Sequence, residues 1–329
     1  MSVTVPRVVV AGGTFRNLDP ERRILGSIGA QVIDANKLPR AEVISLASDA
    51  DALMSDYFIV DSSVITALRR CRVICRYGIG LDKVDVQKAT EAGIVVTRVP
   101  EYCISELADH TLGLLLAVAR RIPRYNAAVH RKDWNWDSPG IRRLSGATLG
   151  IIGLGRIGSS LATRAKAMGM VILAHDPNLR TDEIHARGAE STSLDELLAK
   201  SDLVSLHTPL TPATRHLIGT AQLSAMKPGA ILINTARGGL VDQEALVESL
   251  RSGKLGGAGL DVLASEPPDP EDPILSLDNV VLTPHAGHFS EESLVQVQIE
   301  AGEEVLRALK GEPLLNAVNE KDVLGRRVP

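Results

Sequence analysis

Residues 147–177 read ATLGIIGLGRIGSSLATRAKAMGMVILAHDP, and the fold of the chain is decided in them. Thr148–Ile152 is an apolar run bounded by glycine and too short for a globular helix, so it reads as a buried strand. Gly153-Leu-Gly155-Arg156-Ile157-Gly158 follows. Ile157, Leu161, Ala165 and Met168 then recur three or four residues apart, which is helical spacing. A second apolar run, Met170–Ala174, ends at His175-Asp176-Pro177. The order is strand, glycine turn, helix, strand, acid. Gly153 permits the tight turn, Gly155 lets the backbone approach a pyrophosphate, and Gly158 lets the helix pack closely on the strand. Free amides at the helix N-terminus, with the peptide dipoles aligned behind them, favour an anion there. Asp176 stands where a carboxylate accepts hydrogen bonds from an adenosine ribose diol. The same charge repels a 2′-phosphate, so the predicted cofactor is NAD rather than NADP, with Arg180 as the nearest following cation that would weaken this choice.

Outward from this unit, composition narrows the classes. The 329 residues suffice for two domains, and 44% hydrophobic with 23% charged residues is ordinary globular composition. A net charge of −4 and 3% aromatics argue against a nucleic-acid partner. The N-terminus, MSVTVPRVVVAGG, lacks the pattern of a signal peptide, and the longest nearly uncharged apolar stretch, Thr111–Ala119, is far shorter than the roughly 20 residues of a membrane span. Cys71, Cys75 and Cys103 have no metal spacing and read as buried thiols in a reducing cytoplasm. No metal site is expected.

The first hundred residues alternate short strands (7–11, 30–34, 52–54 with 57–60, 73–76, 94–97) with helices (18–28, 63–70, 84–92), the mark of a parallel sheet covered on both faces. Asp19 is the expected N-cap of the first helix, and no second glycine fingerprint occurs here. Ser105–Arg121 is predicted as a long helix capped by Ser105, leading through Trp134–Pro139 into the glycine unit. Alternation then resumes, with strands at 203–206, 230–234, 257–260 and 280–282 and helices at 193–199, 220–226 and 243–252. Glu291–Lys310 is a second long helix that returns the chain to the first domain. The predicted fold class is α/β, with two doubly wound parallel-sheet domains and the larger, a dinucleotide-binding domain over 104–291, inserted into a smaller one formed by 1–103 and 292–329.

Ligands of open parallel sheets bind beyond the carboxyl ends of the strands. The residues there are Gly153, Gly155, Arg156, Ile157, Gly158, Asp176, His207, Thr208, Thr235, Ala236, Arg237, Asp261 and His285, which makes them the candidate cofactor contacts. Asp261 has two readings, an acceptor for a carboxamide or an ion-pair partner that holds loops. Hydride transfer to or from a nicotinamide needs a substrate anchor, a proton carrier and a group that tunes the carrier. Arg237 supplies a planar fork that grips a carboxylate and polarises the neighbouring carbonyl. His285 is a strand-end group that titrates near neutrality and gives a proton to the forming alkoxide. Glu266 in Ala264-Ser265-Glu266-Pro267-Pro268 has two readings, a solvated loop acid or a carboxylate that reaches the imidazole, where it would fix its tautomer and favour the imidazolium. His207, His216 and His288 are rivals for the proton carrier.

With these residues in place the chain resembles the D-isomer-specific 2-hydroxyacid dehydrogenases. The resemblance is carried by the glycine fingerprint with Asp176, by Asn234–Asp242, Gly259-Leu-Asp261-Val and Glu266-Pro-Pro268, and by Thr283-Pro-His285. It is carried too by Arg76-Tyr-Gly-Ile-Gly-Leu-Asp82, Val99-Pro100 and Ala108-Asp-His110, and runs from about 55 to 319. It implies a flavodoxin-like substrate domain, a Rossmann NAD domain and catalytic Arg237, Glu266 and His285. It also implies a homodimer paired through the cofactor domains, and substrate contacts at Tyr77, Gly78, Ile79, Arg237 and His285, with backbone amides near Gly78 and Ile79 receiving the carboxylate. His285-Ala-Gly-His288 and Asn316-Ala-Val-Asn319 look closest to the C-terminal binding protein branch. Two departures bear on substrate: His288 stands where that branch often has a bulky aromatic, and Arg98 replaces the Asn common before Val-Pro, adding positive charge near the substrate. The implied activity is NAD-dependent interconversion of a 2-oxo acid and a D-2-hydroxy acid. The alternatives are a dimeric NAD(H)-sensing binding protein, or a phosphoglycerate-type dehydrogenase without the regulatory domain of its longer forms.

Overall fold

The computed structural model describes residues 5–136 and 140–323, so residues 137–139 of the Trp134–Pro139 stretch lie outside the described residues. The chain divides into two compact units, Met1–Cys103 with Ser290–Pro329, and Ile104–Phe289.

The first unit holds five parallel strands, β1 (Arg7–Ala11), β2 (Gln31–Asp34), β3 (Ala52–Ser55), β4 (Val73–Arg76) and β5 (Val95–Arg98), in the order β2-β1-β3-β4-β5. Reversal of the order at β1/β3 is the doubly wound arrangement. Val9, Leu53, Ile74 and Val96 are fully buried, as expected of strands covered on both faces. The helix Glu291–Lys310 buries Val297, Ala301 and Val305 and packs on the helix Asp19–Leu25, with Ile24 against Gly302. Beyond it, Asn316–Asn319 lies along the sheet edge: Val318 donates to the Val96 carbonyl at 2.9 Å, and Asn319 Oδ1 accepts the Val96 amide at 2.8 Å.

The second unit holds seven parallel strands. They are β6 (Thr148–Ile152), β7 (Val171–His175), β8 (Glu190–Ser191), β9 (Leu203–Leu206), β10 (Ala230–Asn234), β11 (Leu255–Leu260) and β12 (Val280–Leu282). Their order, β12-β11-β10-β9-β6-β7-β8, reverses between β6 and β9 and is that of a Rossmann sheet. One face packs Leu114 and Leu115 of the helix Ile104–Ala119 with Leu161 and Ala165 against Leu149 and Ile151. The other packs Leu197, Leu223, Leu246 and Leu250 against Leu206 and Leu232.

Several local expectations are corrected. Asp19 is the first helical residue rather than the cap; Leu18 holds the cap position without a side-chain bond, and Asn17 Oδ1 accepts the Asp19 amide at 3.0 Å. Ser105 lies inside the helix Ile104–Ala119, which ends before the left-handed Arg121 (φ 52°). A separate helix, Ile122–His130, follows and buries none of its residues, so it has no core-facing stripe to betray it. Arg40–Ala47 and Thr181–Ala186 are further helices absent from the sequence reading; they bury only Val43 with Ala47, and Ile184, too few positions to set a period.

Candidate active site

The glycine turn joins β6 to the helix Arg156–Ala167. Gly153 has φ 92°, and a side chain there would meet the carbonyl carbon of His207 at 2.8 Å, at the point where the strand order reverses. A Cβ at Gly158 would run into the carbonyl oxygen of Gly153, so the helix can seat on β6 only with glycine at this position. Gly155 differs: nothing lies within 4 Å of its Cβ position, and as helix N-cap it provides no side chain to bond the first amides. The turn is therefore closed on its protein side and open at a dipole end that favours an anion.

Asp176, just after β7, closes this cradle. Its Oδ2 accepts the Leu154 amide at 2.9 Å and its Oδ1 the Asn178 amide at 3.0 Å. Leu154 is held from its other side, its carbonyl accepting from Arg187 at 2.5 Å and from Ser159 Oγ at 3.1 Å. Arg180 forms a fork on Asp182 (3.1 and 2.9 Å) and lies 3.6 Å from Glu183, so its charge is taken up within its own turn of chain.

Beyond β9, His207 Nε2 lies 2.8 Å from Ser205 Oγ, and burial pushes its pKa down to about 4. A ring neutral from pH 4 upward is a poor source of a proton near neutrality. Thr208 follows at the half-buried strand end. Beyond β10, Thr235 is buried and its hydroxyl lies 2.7 Å from that of Thr111. Asn234 shapes the next turn, accepting the Ala236 amide at 3.0 Å and donating to the Arg237 carbonyl at 2.9 Å. Arg237 Nη1 donates to the Ala236 carbonyl at 2.7 Å. Gly238 abuts the Leu263 carbonyl so closely that no Cβ fits, and the Arg237 turn is thereby pressed onto the loop that carries Glu266.

That loop ends at a carboxylate–imidazole pair. His285 Nδ1 lies 2.7 Å from Glu266 Oε2, and Glu266 Oε1 accepts the Leu263 amide at 3.2 Å. Partial burial opposes ionisation of Glu266, but the bond and charge of His285, the Leu263 amide and the Arg237 charge win and lower its pKa. The ring of His285 is partly exposed, leaving Nε2 as the atom that can meet a substrate. His285 has φ 55°, a left-handed conformation costing a non-glycine residue on the order of 1 kcal/mol, and such outliers concentrate at functional sites.

Asp261, after β11, holds this conformation. Its carboxylate accepts Thr283 Oγ1 at 2.6 Å and the amides of Ala286 and Gly287 at 2.8 and 2.9 Å, and His110 Nε2 lies 3.3 Å away. Burial opposes ionisation, yet these bonds bring the pKa down to about 2. Of the two sequence readings, both carboxylate oxygens serve the loop-holding one. His110, Thr283 and Thr111 are thus site residues that position reasoning missed. Ala108-Asp-His110 and Thr283-Pro-His285 were visible as motifs, but nothing local says that they meet at Asp261.

Comparison with known proteins fits this geometry. Residues 112–287 match the family model described as D-isomer specific 2-hydroxyacid dehydrogenase, NAD binding domain. The chain is 42% identical over 286 residues to a glyoxylate reductase of Korarchaeum cryptofilum, covering 85% of this chain and 86% of that one. The chain belongs to the D-isomer specific 2-hydroxyacid dehydrogenase family. It is also 41% identical over 299 residues to a D-3-phosphoglycerate dehydrogenase of Methanocaldococcus jannaschii, covering 90% of this chain but 57% of that relative's length. A crystal structure of a D-lactate dehydrogenase from Aquifex aeolicus complexed with NAD and lactic acid superposes with a TM-score of 0.83 at 32% identity, covering 93% and 96% of the two chains. In this dehydrogenase family member the closed glycines, the open Gly155 edge and Asp176 fit NAD.

The remaining candidates lie in the first unit, after β4 and β5. The Tyr77 ring is buried, its hydroxyl donating to Glu21 Oε1 at 2.7 Å, so only the main chain of Tyr77 is left for a ligand. The amides of Gly78 and Ile79 find no acceptor among the described residues. Arg98 Nη1 donates to the Ile79 carbonyl at 3.2 Å. Among the described residues no group of side chains is arranged to hold a metal ion, and no helix is long and apolar enough to cross a membrane.

Proposed function

We propose that this chain catalyses the reversible reaction 2-oxo acid + NADH + H⁺ ⇌ D-2-hydroxy acid + NAD⁺. The observation that carries the reading is the His285–Glu266 pair at 2.7 Å, with His285 held in a left-handed conformation by the loop that Asp261 anchors. Bound NADH supplies the hydride. Gly153, Gly155, Arg156, Ile157 and Gly158 hold the diphosphate, Asp176 the ribose, and His207, Thr208, Thr235, Ala236 and Asp261 border the rest of the cofactor. Arg237 grips the substrate and polarises its carbonyl oxygen. His285 delivers a proton from Nε2 to that oxygen as it becomes an alkoxide, and Glu266 stabilises the charged ring before the transfer. The Gly78 and Ile79 amides receive the substrate carboxylate. In the oxidative direction neutral His285 takes the proton back.

The test is a panel of 2-oxo acids with NADH, followed by loss of the reduced nicotinamide absorbance. At least one acid is expected to be reduced with catalytic efficiency in the ordinary enzymatic range, about 10⁴ M⁻¹s⁻¹ or more. NADH binding with no turnover of any 2-oxo acid would leave a cofactor-sensing protein instead.

We further assign a homodimer paired through the Ile104–Phe289 unit, with no nucleic-acid partner and a cytoplasmic location. The dimer is supported by Trp134 and Trp136, 87% and 85% exposed, beside Val129 of a helix that buries nothing in its own chain. The location is supported by three free, buried cysteines.

A further inference from the structure

At the carboxyl ends of β4 and β5 two arginines stand side by side, and only one of them is neutralised. β4 and β5 pair with Arg76 opposite Arg98, so two arginines leave adjacent strands at the same level. Arg76 is taken up by Asp56 at 3.0 Å, both side chains being 13% exposed. Arg98 has no carboxylate within ion-pair distance among the described residues, and its side chain makes one bond there, to the Ile79 carbonyl. A neutral donor would serve that carbonyl as well. A half-buried guanidinium without a counter-ion is costly, and a bound anion offsets the cost. The carbonyl it holds belongs to the segment whose Gly78 and Ile79 amides lack acceptors, so two anion-binding devices share one turn of chain. The turn is rigid from below: Tyr77 is fixed by Glu21, which also accepts from Gln298 at 3.1 and 3.0 Å.

We infer that the substrate is a 2-oxo acid bearing a second anionic group, and that Arg98 is the residue that selects it. The amides take the carboxylate beside the reacting carbonyl. Arg98 takes the second group, a carboxylate or a phosphate ester, each of which its planar fork accepts through paired charge-assisted bonds. This rests on the proposed reductase reading and adds the substrate class to it.

The test compares catalytic efficiency toward pyruvate and glyoxylate with that toward 2-oxoglutarate, oxaloacetate and 3-phosphonooxypyruvate, in the unmodified chain and in Arg98→Gln and Arg98→Lys. The dianions are expected to be preferred by about tenfold or more, the scale of charge-assisted hydrogen bonds. Arg98→Gln should reduce the dianion-to-monoanion ratio by a similar factor, mainly through KM, and Arg98→Lys should restore part of it. Whichever dianion leads identifies the second group as carboxylate or phosphate. A monoanion preference, or a ratio unmoved by Arg98→Gln, overturns the inference while leaving the reductase reading intact. If no 2-oxo acid is reduced, the reductase reading fails, and calorimetric titration with malate and with lactate decides this point. Tighter malate binding that Arg98→Gln abolishes sustains it, and equal binding of the two overturns it.

Discussion

Asp176 accepts the backbone amide of Leu154 at 2.9 Å, so the acid that follows β7 is tied to the glycine turn that follows β6. One carboxylate thus sets the shape of the glycine turn and the charge beside it. Asp176→Ala should narrow the preference for NADH over NADPH, because the repulsion of a 2′-phosphate is gone, and should weaken NADH itself because Leu154 loses its acceptor. Steady-state kinetics with both cofactors check this. Equal efficiency with the two cofactors before mutation would contradict the role given to Asp176.

Gly158→Ala should damage cofactor binding more than stability. The new methyl meets the Gly153 carbonyl oxygen and pushes the helix Arg156–Ala167 off β6, which moves the free amides at that helix's N-terminus. NADH affinity by fluorescence titration should fall by tenfold or more, about 1.4 kcal/mol, while Gly155→Ala, whose Cβ meets only open space, leaves the apoprotein's melting temperature unchanged.

Asp261 gives a stability signature in acid. Its carboxyl sits at about 2 when folded, against an ordinary value near 3.9. A depressed carboxyl stabilises the fold above its unfolded pKa and loses that contribution as pH falls through the folded one. The stability of the native chain relative to Asp261→Asn should therefore shrink between about pH 4 and pH 2, by roughly 2 kcal/mol in all. Denaturant midpoints over that range measure it. Turnover of Asp261→Asn should fall at every pH, since Ala286 and Gly287 flank the strained His285.

Most strands of the two sheets could be read from the sequence because they are short apolar runs, some with a punctuating glycine or acid as at Ile152-Gly153 and Leu260-Asp261; Glu190–Ser191, which has no apolar residue, and the order of the strands within each sheet could not. Helices were most legible where burial imposes a period. Leu161, Ala162 and Ala165 give one, whereas Ile122–His130 buries nothing and left no trace. In the site, the pairing of Glu266 with His285 followed from a family resemblance, and the structure supplies its distance. The left-handed backbone of His285 and the web of His110, Thr283 and two amides around Asp261 join residues 22 to 151 positions apart or fix a single dihedral, and neither leaves a mark in local pattern. Tyr77 lies inside the substrate motif with its ring spent on Glu21, a contact that no local pattern announces.

The account stands on His285 as the proton carrier. If it must be charged before hydride arrives, reductive efficiency falls as pH rises through its titration. Glu266→Gln removes the carboxylate that lies 2.7 Å from Nδ1 and favours the charged ring, so it should move this alkaline limb to lower pH. His207, neutral above about pH 4, should leave the limb where it is when replaced by Gln. Arg237→Ala should raise KM and lower kcat together, since it holds substrate in ground and transition states. The most direct measurement is the pH profile of kcat/KM for reduction of the preferred 2-oxo acid in the native chain, Glu266→Gln and His285→Ala. The account predicts an alkaline limb displaced to lower pH in Glu266→Gln and a loss of about 10² to 10⁴ in His285→Ala. Near-native turnover in His285→Ala, or an unmoved limb in Glu266→Gln, would contradict it.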